Sequence, residues 1–221
     1  MKQLFYTFLL VSSSMIILQN TLHAQRDVMV KGDLISHDFD LEDFHSLSLF
    51  LKADVYLTQD SKQSVRIEAQ EDLIRYLEHE VKDGKLYLDV DDRVRRYERI
   101  KIHISLPELR KISISGTSRV KTMNDFKDLD DVKVVITGHG KVKLTGSATN
   151  LQVAISGLGD VEVSEFEVAS CDVSISGKGS CNVHASDYLD VGISGWGTVR
   201  YVGQPSINKG ISGIGKVKKM K

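Results

Sequence analysis

The sequence predicts an all-β fold, a right-handed parallel β-helix (β-solenoid) with coils of 18–22 residues. A five-residue phrase occurs six times, and its Ser or Thr recurs at intervals of 22, 19, 20, 18 and 18 residues. Of the 17 glycines, 15 lie between Gly116 and Gly215. Aliphatic residues also stand at fixed positions of every copy. Self-similarity at a nearly constant period of this length is typical of stacked-repeat folds.

The repeated phrase is an Ile, a Ser or Thr, a Gly, a variable residue, and a Gly or Ser. Its six copies are Ile114–Ser118, Ile136–Gly140, Ile155–Gly159, Ile175–Gly179, Ile193–Gly197 and Ile211–Gly215. Glycine is common where strands bend or where a positive φ is required. Each copy therefore predicts a strand, a glycine corner and a second strand.

Two aliphatic columns run through the copies. Two residues before the first Gly stand Ile114, Ile136, Ile155, Ile175, Ile193 and Ile211, and four residues after it stand Val120, Val142, Val161, Cys181, Val199 and Val217. Because equivalent positions of stacked coils lie about 4.8 Å apart, these columns predict a continuous core that no coil could bury alone. The irregular coil length argues against a left-handed hexapeptide helix, and the crossover rule favours the right hand.

Residues 1–24 have the pattern of a signal peptide. Lys2 is basic, Leu4–Leu18 is mostly apolar, and Leu22–Ala24 resembles a small-residue cleavage site. A membrane anchor needs about 20 apolar residues, and this stretch is interrupted by Ser12–Ser14. The absence of Cys near the cleavage site argues against a lipoprotein. We expect an exported protein that is periplasmic, associated with the outer surface or secreted, with no membrane insertion after signal removal.

Residues 25–110 lack the phrase but remain β-rich. Alternating or β-branched segments predict strands in Leu47–Gln59, Ser64–Ala69, Lys85–Val90 and Ile100–Leu106. Asp83-Gly84 is a hairpin signal, and Glu71–Leu77 is a candidate short helix. We expect this part to be less regular and to cover the N-terminal edge of the regular coils of residues 111–221.

Composition and motifs restrict the function classes. The formal net charge is −1 and no long run of one sign occurs, which argues against nucleic acid and anionic membranes as partners. The signatures of zinc proteases, α/β-hydrolases and nucleotide-binding loops are missing. Gly157–Asp160 resembles a calcium β-roll phrase, but that roll needs Gly-Gly-x-Gly-x-Asp in every turn. The sequence predicts no metal and no cofactor.

Asp160 and Glu162 are the acidic pair weighed for catalysis, since parallel β-helices can carry polysaccharide lyases and hydrolases. Their stacked neighbours on one side are Lys141 and Lys143, about 4.8 Å away. Such lysines lower a carboxyl pKa, whereas a general acid needs a raised pKa. A surface ion-pair ladder is therefore favoured, and we predict no catalytic residues. A carbohydrate-active enzyme stays as the alternative.

Cys171 and Cys181 occupy inward positions of one coil. Export would permit a disulfide. However, Cys171 stands about 13 Å of strand before the corner isoleucine, whereas bridged Cα atoms lie within about 7 Å. Buried free thiols are favoured over a bridge.

Two outward surfaces are candidates for binding. A flat face carries Ser113, Val135, Ala154, Ser174, Gly192 and Gly210 beside Ser115, Thr137, Ser156, Ser176, Ser194 and Ser212. It suits a second protomer or an extended glycan, or is simply a solvated sheet. At the corners stand Thr117, His139, Leu158, Lys178, Trp196 and Ile214. Trp196, Leu158 and Ile214, with Lys178 between them, predict an apolar contact strip, the alternative being scattered exposed residues.

The Ser-Gly-x-Gly-x-Val phrases, together with the upstream Asp43–Leu47, Asp54–Gln59 and Val81–Leu86, resemble the head GIN domain of "putative auto-transporter adhesins". The resemblance covers roughly residues 40–217. It implies a right-handed β-helix exported by Bacteroidota-type bacteria, and an adhesin-like role. In that family an Asp usually follows the second Gly, whereas here only Asp160 does, so no aspartate ladder is carried over.

These observations predict a non-catalytic, exported, adhesin-like module that presents a repetitive surface to glycan or to a surface protein. The alternatives are the carbohydrate-active enzyme and a purely structural subunit that self-associates. In the last case the flat small-residue face would form a homo-oligomer.

Overall fold

The computed structural model of the protein describes residues 27–220. The predicted signal peptide, residues 1–24, lies outside the described residues. All sixteen strands of the described part join one hydrogen-bonded sheet, which winds into a β-solenoid of about five turns. The predicted all-β solenoid is confirmed, and its right hand stays a prediction.

Seven strands and one short helix precede the regular coils. They are β1 (Leu34–Phe39), β2 (Ser46–Leu49), β3 (Ala53–Gln59), β4 (Ser64–Gln70), α1 (Glu71–Ile74), β5 (Leu77–Lys82), β6 (Lys85–Val90) and β7 (Ile100–Leu106). The helix lies within the segment predicted to be helical. It has four residues, and no helix in the described part of the chain is long and apolar enough to cross a membrane.

Nine strands form the regular coils and meet at the glycine corners. They are β8 (Lys111–Ile114), β9 (Thr117–Thr122), β10 (Phe126–Ile136), β11 (His139–Ile155), β12 (Leu158–Ile175), β13 (Lys178–Ile193), β14 (Trp196–Val202), β15 (Ser206–Ile211) and β16 (Ile214–Lys219). Each pair of neighbours among these nine strands is parallel.

The register follows the aliphatic columns. Ile155 pairs with Ile136 on one side and with Ile175 on the other, and Val161 pairs with Val142 and Cys181. Both columns are buried as far as Ile193 and Val199. Burying such side chains removes apolar surface from water at about 25 cal/mol per Å², so the stacked columns form the core that was predicted.

Close approach of neighbouring coils explains the first glycine of each phrase. A Cβ on Gly157 would lie 2.2 Å from the carbonyl oxygen of Gly138 and 2.3 Å from that of Thr137. The corner stays this tight because the Ser156 and Gly157 amides both donate to the Ile136 carbonyl, at 2.8 and 3.2 Å. The φ of Gly157 is not positive, so the constraint is space rather than backbone conformation.

The N-terminal strands add two more coils in an order that differs from chain order. Strands β2 and β3 form a coil without corner glycines, in which Leu49 pairs with Ile114 and Val55 with Val120. On their other side lie β6 and β7, also parallel. The first coil, β2 and β3, therefore lies between the second coil, β6 and β7, and the third coil, β8 and β9.

Antiparallel strand pairs, one of them a hairpin, cover the N-terminal end of the solenoid. Strand β4 pairs with β7 and then with β1, while β5 pairs with β6 across the predicted Asp83-Gly84 turn. Both turn residues have positive φ angles, 51° and 66°, as a tight hairpin turn requires. At the opposite end β15 and β16 are exposed edge strands.

The two cysteines are free and buried, as predicted. Cys171 stacks on Leu151 and Cys181 on Val161, at the inward positions expected for them. Burial raises the pKa of the Cys171 thiol to about 12 and raises that of Cys181 as well. Both side chains therefore act as small apolar core residues.

Candidate functional site

A groove of about 820 Å³ runs along the solenoid axis, immediately beyond the glycine corners. We call it the corner groove. Its floor is the backbone of the second-glycine positions. One wall is the corner column Thr117, His139, Leu158, Lys178, Trp196 and Ile214, and the other is Arg119, Lys141, Asp160, Ser180 and Thr198, with Arg99 at one end.

Parallel pairing produces this groove because it places equivalent positions of successive coils side by side. In each coil the two wall residues flank one small residue, so they project outward from the same strand. From Thr117 to Ile214 the corner column takes five coil steps, or about 24 Å at the spacing of paired strands. The groove is therefore long, shallow and perpendicular to the strands.

All four predicted strip residues line the corner groove. Lys178 pairs with Leu158 and Trp196, and Trp196 pairs with Ile214. The three apolar side chains are well exposed, Leu158 at 45%, Trp196 at 60% and Ile214 at 65%. A column in which three of four consecutive corners carry a large exposed apolar residue is a candidate contact surface.

The opposite wall is polar and internally bonded. The Asp160 carboxylate accepts hydrogen bonds from Ser180 Oγ at 2.7 Å and lies 2.9 Å from Lys141 Nζ. At the far end Asp54 accepts two hydrogen bonds from Arg119, both at 2.6 Å, and one from Arg99 at 3.4 Å. These contacts hold the cationic side chains of the wall in place.

A basic quartet extends this wall: Arg119, Lys121, Lys141 and Lys143. Arg119 pairs with Lys141 and Lys121 with Lys143, so like charges stand directly opposite on neighbouring strands, an arrangement that destabilises a sheet. Lys121 Nζ lies over the Tyr56 ring, 4.9 Å from its centroid. Sequence reasoning missed this quartet, although both residues of each pair hold the same position in consecutive copies.

The two acids weighed for catalysis have lowered pKa values. For Asp160, burial raises the pKa, but hydrogen bonds from Ser180 and Lys141 outweigh it. For Glu162, burial is likewise outweighed, by hydrogen bonds from Ser164 and Asn182. The prediction that Lys143 depresses the pKa of Glu162 is wrong, because Lys143 contacts Glu165 instead, at 3.5 Å.

A second acidic pair lies in another groove, which Tyr188 also lines. Asp172 and Asp190 pair across adjacent coils. Burial raises the pKa of Asp172, Asp190 raises it further, and Lys133 opposes the shift. This pair was not predicted from the sequence. Within residues 27–220 no group of three or more His, Cys, Asp or Glu side chains is arranged to hold a metal ion.

The flat small-residue face lies on the strands before the corners. Its serine and threonine column is exposed at every coil. Some hydroxyls bond one another along the column, Thr137 Oγ1 to Ser115 Oγ at 3.1 Å and Ser176 Oγ to Ser156 Oγ at 3.3 Å. The flatness of this face stays a prediction.

Solved structures with this fold come from Bacteroides and Parabacteroides species. A protein described as a putative adhesin from Bacteroides fragilis NCTC 9343 has 23% identity and a TM-score of 0.71, over 87% of this chain and 100% of that one. A putative lipid binding protein from Parabacteroides distasonis ATCC 8503 has 19% identity and a TM-score of 0.57, over 89% and 100%. A putative adhesin from Parabacteroides merdae ATCC 43184 has 18% identity and a TM-score of 0.53, over 89% and 100%.

These likenesses, all below 25% identity, concern the fold. No curated protein matches the sequence. The family model described as "Putative auto-transporter adhesin, head GIN domain" matches residues 43–205, which include the corner groove from Arg99 to Thr198. With most of its length matched by that model, the chain belongs to the head GIN domain family.

Proposed function

We propose that the protein is a non-catalytic, adhesin-like binding module that holds an elongated ligand, a glycan or a segment of a surface protein, in the corner groove. The observation that carries the proposal is the exposure of Trp196 between Lys178 and Ile214. An indole offers a large, stiff surface that both stacks and donates a hydrogen bond. The folded core does not use it, so its place in the groove wall favours a role in binding.

Binding is favoured over catalysis by the state of the groove carboxylate. The pKa of Asp160 is lowered, so the group is ionised at neutral pH and a poor proton donor. Its oxygens are engaged by Ser180 and Lys141. Such a carboxylate suits the positioning of a bound ligand rather than the protonation of a leaving group.

The proposed location is outside the cytoplasm: periplasmic, on the outer surface or secreted, without a lipid anchor. The adhesin description of the family supports an extracellular or surface location. One structural neighbour is described as lipid binding, but the corner groove is open along its length. An acyl chain lying in the groove would leave one side of its apolar surface in water and would gain little from binding. An open groove therefore favours a glycan or a protein segment over a lipid.

The test uses the single tryptophan as its own reporter. Binding of the purified protein to a glycan array identifies ligands, and each hit is titrated while tryptophan emission is followed. We expect binding to shift the emission of wild-type protein. Because Trp196→Ala removes the reporter, the affinities of both proteins are compared by calorimetry, and the variant should bind the same ligand about 30-fold or more weakly, the loss typical of an anchor residue.

Tyr188→Ala is the matched control, because Tyr188 is also an exposed aromatic, at 42%, but lies in the other groove. Solution mass is measured in parallel, so that self-association is recognised as a separate activity. Equal affinities of wild type and Trp196→Ala for every ligand would refute the proposal.

A further inference from the structure

We propose that the ligand of the corner groove is an acidic polysaccharide, lying along the solenoid axis with a sugar ring against Trp196 and its anionic groups against the cations of the groove. This inference rests on the proposed function and adds the chemical class of the ligand. Carboxylate and sulfate groups share the chemistry required, and the experiment below separates them.

Local charge is the first argument. The corner groove is lined by four cationic side chains, Arg99, Arg119, Lys141 and Lys178, against one carboxylate, Asp160. The whole chain, by contrast, has a formal net charge of −1. Cations are therefore concentrated where the exposed indole lies, and a groove lined by one sign of charge attracts ligands of the other sign.

The basic quartet is the second argument. Two like-charged pairs on neighbouring strands oppose sheet stability, and the chain nevertheless places them beside the groove. Arg119 and Lys141 belong to both surfaces, so the positive region is continuous. Because Asp54, Asp160 and Glu165 already contact Arg119, Lys141 and Lys143, a bound polyanion would relieve the repulsion chiefly at Lys121.

Some cations near the groove are not engaged in ion pairs and are therefore available to a ligand. Arg119 and Lys141 already contact Asp54 and Asp160. Among the described residues, no carboxylate lies within salt-bridge distance of Lys121 or Lys178, although both are exposed. These two lysines can therefore meet an incoming anion without breaking an existing ion pair.

Periodicity favours a polysaccharide over a peptide. Equivalent positions recur at every coil, about 4.8 Å apart, so an extended chain lying along the axis meets a new pair of wall residues at each coil. The strands beneath the groove are hydrogen-bonded on both sides, as β12 is to β11 and β13. Their edges are thus closed to a peptide that would add as a strand. Hydroxyls of Ser180 and Thr198 in the wall suit sugar hydroxyls.

The decisive probe is an oligogalacturonate compared with its methyl ester, which keeps the sugar rings and removes the charges. We expect purified wild-type protein to bind the acidic form at least about tenfold more tightly, since hydrogen bonds to charged groups are the strong ones. Binding should weaken as salt concentration rises. Dextran sulfate tests sulfate in place of carboxylate, and single-stranded oligothymidylate tests a polyanion of another class.

The double variant Lys121→Gln/Lys178→Gln should bind the acidic probe about tenfold more weakly and should lose most of the preference for the acid over the methyl ester. Lys62→Gln/Lys127→Gln, two exposed lysines outside the groove, removes the same charge and should bind like wild type. Retained melting temperatures identify both variants as folded.

Three results would overturn the inference. They are equal affinity for acid and ester, equal effects of the two double variants, and binding of oligothymidylate as tight as that of the acidic sugars. If only neutral glycans bind and Trp196→Ala abolishes their binding, the proposed function stands and the acidic class is wrong. If no probe binds in a Trp196-dependent way, the acidic class is wrong, and the proposed function is decided by its own test.

Discussion

Lys209 stands in the last coil at the position that Val191 holds in the coil before it, so a charge ends an inward column of aliphatic residues. Val191 is fully buried and stacks on Val173, whereas Lys209 is exposed. The N-terminal end of the solenoid is covered by antiparallel strands, but β15 and β16 have no covering element in the described part of the chain. An inward-pointing charge is one of the ways in which proteins block an open sheet edge.

Lys209→Val should therefore promote self-association through the last coil. The variant extends the apolar column to the exposed edge, where free backbone groups and apolar surface together form a template for another chain. Light scattering at increasing concentration should give a larger mass than for wild type. Lys218→Val is the control, because Lys218 pairs with Arg200 on the outward side of the same coil. Unchanged mass of Lys209→Val would show that the charge is not what blocks the edge.

Replacement by alanine should have opposite effects on the free energy of unfolding at two glycines of the solenoid. In Gly157→Ala the new Cβ would meet a backbone oxygen at 2.2 Å, so the coils must separate, at a cost of about 2–3 kcal/mol typical of overpacking. Gly192 has nothing within 4 Å of its Cβ position and no positive φ. Gly192→Ala should be stabilising by about 0.5 kcal/mol through the unfolded chain. Chemical denaturation measures both, and similar values for the two would contradict the corner geometry.

Register could be predicted from the sequence because the information is local and repeated. Each copy carries the same isoleucine and the same glycine, so aligning the copies aligns the strands, as the Ile155–Ile175 pair illustrates. The order of the first coils could not be predicted. Leu49 lies in a coil whose corner has no glycine, and its neighbour Leu88 comes 39 positions later in the chain, from the far side of a hairpin. No local pattern encodes such long-range parallel pairing.

The candidate site also has one part that could be predicted from the sequence and one part that could not. The corner column followed from counting positions after a glycine, which is why Trp196 and Ile214 were brought together correctly. Lys141 could be placed in the cationic wall from its position in the repeat, but the acidic partner of Arg119 could not, because it is distant in sequence. Arg119 is held by Asp54, 65 residues earlier. That contact depends on β3 lying beside β9, and therefore on the coil order that the sequence did not reveal.

Neutralising Asp160 and neutralising Asp172 should have opposite effects on stability. The folded pKa of Asp160 is below its ordinary value of 3.8, so its stabilisation is present above that pH and is lost as pH falls through the folded value. The folded pKa of Asp172 is raised, so the charged group destabilises at neutral pH, and this effect disappears as pH falls to about 3.8. Asp160→Asn should thus destabilise and Asp172→Asn stabilise at pH 7.

Each effect should be below about 1 kcal/mol, because both carboxyls are partly screened by solvent. Melting curves from pH 7 to pH 3 measure them, and both differences from wild type should shrink toward pH 3. A stabilised Asp160→Asn or a destabilised Asp172→Asn at pH 7 would contradict the causes assigned to these shifts.

The cysteines should be chemically silent in the folded protein. Burial raises the pKa of Cys171 to about 12, and the thiolate is the reactive form, so a thiol reagent should find neither group until the chain unfolds. Denatured but unreduced protein should show both thiols, and a reducing agent should leave the melting temperature unchanged. Cys181→Val, which matches its column neighbours Val161 and Val199, should be within about 1 kcal/mol of wild type. Absence of free thiols after denaturation would indicate a disulfide.

Trp196 should be dispensable for folding, which is what distinguishes a contact residue from a packing residue. Its side chain is 60% exposed, and its column neighbours Lys178 and Ile214 are also exposed. Trp196→Ala should therefore change the free energy of unfolding by no more than about 0.5 kcal/mol. Phe166→Ala is the contrasting variant, because Phe166 is buried at 1% exposure and its truncation should cost about 3–5 kcal/mol.

Fluorescence provides an independent check, since Trp196 is the single tryptophan of the chain. An indole with this exposure should emit at the long wavelength of a hydrated ring in the native protein, and a soluble quencher should reach it nearly as well as in the unfolded chain. Unfolding should then shift the emission only slightly, while circular dichroism reports the full loss of strand. A blue-shifted, protected native emission, together with a large loss of stability in Trp196→Ala, would place the indole in the core and remove it from the corner groove.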